Sequence, residues 1–246
     1  MKFFYCNLIL FCLVLTEISA QKKDKISYKA DELKFRRINK EPVRKLINNV
    51  IFTQGKTEIT CDSANFYNRK NILEAFGNIV ITNPDSSVIK ARKLIYNGES
   101  KIAKLRENVI YTKGDEQIKT NNLDYDLNEK KGYFFNNGEL KDNVNILSSE
   151  FGIFYGNIDL SIFYSGVILV GENYTLESDS MTYNTILREA TTFGYTEIIS
   201  EDSTHIKSLG GTFRQESNNS NLKSSKIESS NYILEADYIN FDEENS

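Results

Sequence analysis

The sequence predicts an all-β protein built of about eight stacked repeats of about thirty residues. Three observations predict this class. A short motif recurs along the chain, apolar residues alternate at a period of two within each copy, and no helical period is sustained after the first twenty residues. The remaining residues, 21–246, are enough for one domain with a large buried interior.

The first twenty residues predict a secretory signal peptide. Met1-Lys2 carries one positive charge, the stretch from Phe3 to Leu15 is almost wholly apolar, and Ala20 offers a small residue for cleavage before Gln21. The apolar run is shorter than the roughly 20 residues of an ordinary membrane-spanning helix. We therefore expect a periplasmic product whose folded domain spans residues 21–246. An uncleaved N-terminal anchor is the alternative.

The repeat motif has four positions. An apolar residue is followed two positions later by a small residue. A second apolar residue comes three positions after that, and an aromatic residue two positions later again. Alternating apolar, β-branched and aromatic residues are typical of a strand that buries one face. The three-residue step in the middle predicts a bulge that turns the chain. The last positions of the eight copies are spaced by 28 to 31 residues and are Phe35, Phe66, Tyr96, Tyr125, Ile153, Tyr183, Phe213 and Phe241.

A second signature follows most copies, in which Gly or Asn precedes a β-branched run. Examples are Gly77-Asn78-Ile79-Val80-Ile81 and Gly166-Val167-Ile168-Leu169-Val170. It predicts a second strand in each repeat. Neighbouring repeats are expected to stack at about 4.8 Å.

An aspartate follows the small residue in four copies. We interpret these residues as side chains that satisfy backbone N–H groups at a bend, rather than as a metal ladder. They are Asp31, Asp62, Asp179 and Asp237.

The sequence contains no recognisable catalytic motif, so we expect a protein that is not an enzyme and needs no cofactor or metal. The only histidine, His205, precedes an inward-facing motif position and is expected to face outward. Cys61 occupies the slot that other copies fill with Ala, Ser or Thr, and a small buried side chain explains it without nucleophilic chemistry. Gly210-Gly211 interrupts the seventh copy and predicts a bulge or a local defect in pairing.

The repeat resembles that of the OstA-like (LptA-type) family, the periplasmic lipopolysaccharide-transport proteins. Ala30-Asp31-Glu32-Leu33-Lys34-Phe35 and Ser178-Asp179-Ser180-Met181-Thr182-Tyr183 match the first half of the family pattern. Ala75-Phe76-Gly77-Asn78-Ile79-Val80-Ile81 matches the second half. Copies five and seven depart from it. The resemblance implies an open β-jelly-roll, folded like a taco, with an apolar groove that shields lipid acyl chains while the sugar head stays in water.

The repeated apolar positions supply candidate residues for such a groove. A dry, fully packed core is the alternative that the sequence leaves open. The candidates are Phe66, Ile89, Leu94, Tyr96, Ile118, Leu123, Tyr125, Phe151, Ile153, Leu176, Met181 and Tyr183. A structural or adhesive β-solenoid without lipid cargo is the alternative function.

Charge is uneven between the two ends of the chain. Residues 21–50 contain ten Lys or Arg and four Asp or Glu, whereas residues 220–246 contain two Lys and six acidic residues. Opposite charges at the two ends favour head-to-tail self-association. The resemblance implies lipopolysaccharide or a related glycolipid as ligand, and other transport proteins at the inner and outer membranes as partners. Export argues against nucleic acid.

Overall fold

In a computed structural model the described part of the chain forms eighteen antiparallel strands. The structure describes residues 25–214 and 219–241, so the predicted signal peptide lies outside the described residues. Within these ranges the structure has no helix that is long and apolar enough to cross a membrane. The strands are β1 (Ser27–Lys29), β2 (Glu32–Ile38), β3 (Glu41–Gln54), β4 (Thr57–Tyr67), β5 (Ile72–Thr82), β6 (Val88–Asn97), β7 (Ile102–Lys113), β8 (Glu116–Asp126), β9 (Lys131–Phe134), β10 (Gly138–Lys141), β11 (Ile146–Ser149), β12 (Phe151–Tyr155), β13 (Leu160–Val170), β14 (Tyr174–Asn184), β15 (Glu189–Ser200), β16 (His205–Arg214), β17 (Asn219–Glu228) and β18 (Ile233–Phe241).

Each long strand changes register near its middle, which divides the sheet into two faces. In the pairing of β4 with β5, for example, the register shifts between Thr60 and Ser63. The first half-sheet contains β2, β9, β12 and the segments of the long strands that lie on the same side of the bend. The second half-sheet contains β1, β10, β11 and the other segments. This all-β jelly-roll architecture confirms the predicted fold class.

The bend depends on left-handed backbone in the second strand of each repeat. Gly77 and Asn78 have φ angles of 73° and 40°. The Asp62 carboxylate on the neighbouring strand accepts a hydrogen bond from Asn78 Nδ2 at 3.0 Å. Asp31 bonds Asn49 in the same way at 2.8 Å. Asp31 and Asp62 therefore fasten adjacent strands through Asn side chains rather than through the predicted backbone N–H groups. Asp179 does accept such a bond, from Tyr195 N at 3.1 Å.

Of the two alternatives predicted at the seventh copy, a bulge or a local defect in pairing, the structure shows the defect in pairing. Gly210 has a φ of 105°, and the pairing of β16 with β17 skips from Lys207 opposite Lys226 to Gly211 opposite Leu222. Gly210 therefore lies in the short unpaired stretch of the β16–β17 ladder, whereas Gly211 is paired with Leu222.

Two sequence-based expectations were wrong in detail. Each repeat contributes two paired strands, so it advances the stack by about twice the 4.8 Å strand spacing rather than once. In the fifth copy the register differs by one residue: Leu147, Ser149, Gly152 and Phe154 face inward, not Ile146, Ser148, Phe151 and Ile153. A one-residue slip exchanges the two faces of a strand, because side chains alternate.

The N-terminal end of the stack is formed by β1 and β2, one on each half-sheet, and the C-terminal end by β18. β2 pairs with β3, and β18 pairs with β17. Their side chains are largely exposed, including Phe35 at 76% and Tyr238 at 73%. Strand edges of this kind present backbone donors and acceptors that can pair with another chain.

Candidate lipid-binding interior and its seam

The inner face of the second half-sheet carries a continuous row of apolar side chains, one from each strand. Directly opposed residues of an antiparallel pair share a face, so the pairing registers define this apolar row. From one end of the stack to the other it contains Tyr28, Phe52, Ile59, Ile81, Ile89, Tyr111, Ile118, Leu140, Leu147, Leu169, Leu176, Ile198, Ile206, Ile227 and Leu234.

The facing row of the first half-sheet alternates large and small side chains. Along most of the stack an aromatic residue on one strand is opposed by a small residue on the next. The aromatic row contains Phe66, Tyr96, Tyr125, Phe154, Tyr183 and Phe213. The residues between them are Leu73, Ala103, Gly132, Ser161 and Ala190, and Ser220 follows Phe213.

The two rows pack against each other, so the interior is closed by side chains along the middle of the stack. The Tyr111 ring of the second half-sheet lies 4.6 Å from the Phe154 ring and 5.8 Å from the Tyr125 ring of the first. Tyr28 and Phe66 meet in the same way at 5.6 Å. An acyl chain can therefore enter only if the half-sheets part.

Ten of the twelve predicted groove residues face this interior, each with at most 3% of its surface exposed. They are Phe66, Ile89, Leu94, Tyr96, Ile118, Leu123, Tyr125, Leu176, Met181 and Tyr183.

The other two, Phe151 and Ile153, lie on the outer face because of the register slip in the fifth copy. Phe151 stacks on Tyr164 at 5.6 Å, and Ile153 is paired with Ile162. Their inward-facing neighbours are Gly152 and Phe154.

The edge opposite the bend is a seam at which the hairpin turns of the two half-sheets meet. The seam turns of the first half-sheet are residues 68–71, 98–101, 127–130, 156–159 and 185–188, and those of the second are 55–56, 83–87, 114–115, 142–145 and 171–173. The turns of the first half-sheet are joined by backbone bonds, such as Gly98 N to Asn71 O at 2.8 Å.

Two buried contacts cross the seam through tyrosines of the aromatic row. Tyr96 Oη donates to Gln54 Oε1 at 2.5 Å, and Gln54 Nε2 donates to Gly98 O at 2.8 Å. Tyr183 Oη donates to Asp142 Oδ2 at 2.7 Å. Burial is the main cause that raises the pKa of both tyrosines, and for Tyr183 the bond to Asp142 adds to it. These hydroxyls therefore remain protonated donors.

Two lysines also cross the seam. Lys130 Nζ lies 3.1 Å from Asp85 Oδ2, and Lys113 Nζ lies 3.0 Å from Asp159 Oδ1 and 2.5 Å from Gly156 O. Burial alone would raise the pKa of Asp85, but hydrogen bonds from Ser87 and Lys130 outweigh it and lower that pKa. The seam is thus held by separate polar contacts, whereas the bend is continuous backbone. Sequence analysis did not find these contacts.

A further inner row of the second half-sheet lies next to the bend, and its composition changes along the stack. Val50, Cys61, Ile79, Ala91 and Val109 give way to hydroxyl side chains. The buried hydroxyl residues of this bend row are Ser149, Ser178, Thr196, Ser208 and Ser225.

Cys61 and His205 lie where the sequence placed them. Cys61 is 6% exposed, and burial raises the pKa of its thiol to about 12, so no thiolate nucleophile is available at neutral pH. The His205 side chain is 39% exposed, and its Nδ1 lies 3.7 Å from Glu197 Oε1. Within residues 25–214 and 219–241 no three His, Cys, Asp or Glu side chains come together as a metal site.

Comparisons with known proteins agree with the resemblance seen in the repeat. A family model described as OstA-like protein matches residues 23–179. No curated protein matches the chain. One similar solved structure is LptH of Pseudomonas aeruginosa, described as the LptA homologous periplasmic component of the conserved lipopolysaccharide transport device. It is 12% identical, with 69% of this chain and 82% of that chain covered and a TM-score of 0.23. The family match covers more than half of the sequence, and the chain therefore belongs to the OstA-like family.

Proposed function

We propose that this protein is a non-enzymatic periplasmic carrier that binds lipopolysaccharide through its lipid A acyl chains and helps to move it to the outer membrane. The observation that carries the proposal is the pair of apolar inner faces that line the stack over its main hydrophobic cluster, from Leu46 on β3 to Ile198 on β15. Membership of the OstA-like family, whose members transport lipopolysaccharide, supports it.

Acyl chains enter through the seam. Parting the half-sheets there separates polar contacts that water can replace, such as Lys130 with Asp85, whereas parting them at the bend would break the backbone ladder. A hydrogen bond contributes about 0.5–1.5 kcal/mol net. Each methylene that leaves water contributes about 0.8 kcal/mol. A few acyl chains of ordinary length therefore offset the cost of opening the seam.

Photo-crosslinking tests the carrier function. A photoreactive residue replaces Tyr96 or Tyr183 in the native bacterium, and the matched control replaces Ile95, which precedes Tyr96 on β6 and is 50% exposed on the outer face. The proposal predicts lipopolysaccharide adducts at the two tyrosines and none at Ile95. A folded protein that gives no adduct at either tyrosine contradicts it.

The packed interior favours a second candidate, a structural or adhesive β-solenoid without lipid cargo. The ring contacts across the interior are those of a filled core, with Tyr111 and Phe154 at 4.6 Å. The same crosslinking experiment separates the two functions, because a structural solenoid gives no adduct at Tyr96 or Tyr183.

We also propose head-to-tail self-association through the end strands β2 and β18. β2 exposes Lys34, Arg36 and Arg37, and β18 exposes Glu235 and Asp237. Opposite charge on two free strand edges favours pairing of one chain with the next.

Sedimentation tests this self-association and should show oligomers that grow with concentration. Charge reversal on β2 alone (K34E/R36E/R37E) should abolish them, and mixing that variant with E235K/D237K should restore a dimer. A monomer at all concentrations contradicts the proposal.

A further inference from the structure

Two hydroxyl groups at the C-terminal end of the interior have no hydrogen-bond partner. Ser208 and Ser225 are 3% and 4% exposed, and their Oγ atoms are fully buried without a donor or acceptor in reach. They occupy the bend row on adjacent strands, β16 and β17. Leaving a buried polar group unsatisfied costs about 1–3 kcal/mol, so two such groups in one place indicate a ligand that pairs with them.

The earlier hydroxyls of the same row are satisfied within the protein. Ser149 Oγ donates to Phe151 O at 2.7 Å, Ser178 Oγ donates to Ser180 O at 3.2 Å, and Thr196 Oγ1 donates to Gly194 O at 3.3 Å. Each of these carbonyls lies two residues from its donor, at the bend of the donor's own strand. The hydroxyls of Ser208 and Ser225 make no such hydrogen bond to a backbone carbonyl.

The facing side of the interior carries small side chains on β15 and β16, before Leu222 and Ile239 follow on β17 and β18. The inner row of the first half-sheet next to the bend runs from Phe163 and Met181 to Thr192 and Gly211 on successive strands. The main hydrophobic cluster also ends here, and Leu222, Ile227 and Ile239 form a separate one. The C-terminal end is therefore more polar than the middle.

We propose that this end is a polar subsite that takes the oxygen-bearing part of a carried lipid, an ester or amide carbonyl or a chain hydroxyl, through Ser208 and Ser225. The subsite rests on the proposed carrier function. Hydrocarbon segments lie along the apolar rows nearer the middle, where Ile118, Leu123 and Met181 offer no polar atom. A lipid is thus held in one direction along the stack, with its polar linkage towards β18.

Binding of two fatty acids that differ by one hydroxyl tests the subsite. The protein from Gln21 onwards is titrated with tetradecanoate and with 3-hydroxytetradecanoate. One hydrogen bond to an otherwise unpaired hydroxyl predicts that the hydroxylated chain binds about three- to tenfold more tightly. The S208A/S225A variant should lose this preference and keep its affinity for tetradecanoate. The control S149A removes a hydroxyl that the protein itself uses, and should keep the preference.

Thermal melting without lipid gives an independent readout. Removing an unpartnered hydroxyl leaves no group unpaired, so S208A/S225A should melt at or above the wild-type temperature, whereas S149A should melt lower. Equal binding of the two fatty acids by the wild type overturns the subsite and leaves the carrier standing. A preference retained by S208A/S225A, or a lower melting temperature for that variant, also overturns it. If neither fatty acid binds, the carrier function and the subsite fail together.

Discussion

The bend and the seam are the two long edges of the same sandwich, and they are built from different interactions. At the bend the backbone passes from one half-sheet to the other, and Asp31 and Asp62 bond across to the next strand. At the seam the half-sheets meet only through turns and side chains, such as Tyr96 with Gln54 and Lys130 with Asp85. Under the proposed function, the bend is the hinge and the seam is the edge that opens.

Under the proposed carrier function, this difference explains how lipid enters a closed interior. The tyrosines that line the interior also supply hydroxyls to the seam, since Tyr96 and Tyr183 bond to the opposite half-sheet. A chain that displaces their rings also displaces their hydroxyls. Filling the interior and opening the seam are therefore coupled through the same side chains.

The largest effect is expected at the bend. G77A places a Cβ at a left-handed φ and 2.2 Å from Asp62 Oδ2, so it strains the backbone and displaces the carboxylate from Asn78. We expect a loss of about 2 kcal/mol in the free energy of unfolding. G114A is the matched control, since it has a left-handed φ of 57° with no atom within 4 Å of the added Cβ. Urea denaturation measures both, and equal losses would contradict the role given to Asp62.

A smaller effect is expected for Y183F, which keeps the ring in the aromatic row and removes one seam contact. Asp142 and Asn145 both bond the Tyr183 hydroxyl, at 2.7 Å and 2.8 Å. We expect a loss of about 1–2 kcal/mol and faster uptake of the hydrophobic dye ANS. Y195F, at a residue 49% exposed on the outer face, should change neither quantity. Unchanged dye uptake in Y183F would argue against the seam as the entry.

Substituting the lysine of one ion pair at the seam and of one on the outer surface compares how much each pair contributes to keeping the half-sheets closed. K130M breaks the contact with Asp85, and K93M breaks a closer pair with Glu107 at 2.6 Å on the outside. Exposed pairs contribute about 0–1 kcal/mol, so both stability changes should be small. Only K130M should speed dye uptake. Equal uptake rates would mean that the Lys130 contact does not hold the seam.

The smallest effect is a pH dependence at Asp85. Its folded-state pKa lies below the ordinary value of about 3.9, so its stabilising contribution is complete above that value and is lost as the pH falls through the folded pKa. The difference in unfolding free energy between wild type and D85N should therefore shrink as the pH falls below about 4. A difference that stays constant from pH 7 to pH 3 would contradict the assignment.

Much of the fold follows from the spacing of small, apolar and aromatic residues. The period of two identifies the inward positions of β4, β6, β8 and β14, and the three-residue step locates the bend. The fifth copy was misread because Phe151, Ile153 and Phe154 make both faces apolar. The deciding residue is Gly152, which leaves room for the Phe134 ring: an added Cβ would lie 2.3 Å from it. A glycine on one strand that makes room for a ring on the next strand cannot be recognised from the pattern of either strand alone.

The seam could not be predicted from the pattern. Its partners, such as Gln54 with Tyr96 and Asp142 with Tyr183, are about forty residues apart and are brought together only when the half-sheets close. The contacts differ chemically from one repeat to the next, so repetition gives no signal. The unpartnered hydroxyls of Ser208 and Ser225 are likewise defined by the absence of neighbours, which a sequence does not record.

The most direct test of the account is the distance across the seam with and without lipid. Spin labels at K56C and E129C mark seam turns of the two half-sheets, and labels at R69C and E129C mark two turns of the first half-sheet alone, all with C61A. Addition of lipopolysaccharide should lengthen the first distance and leave the second unchanged. Lipopolysaccharide that binds while the first distance stays constant would contradict opening at the seam.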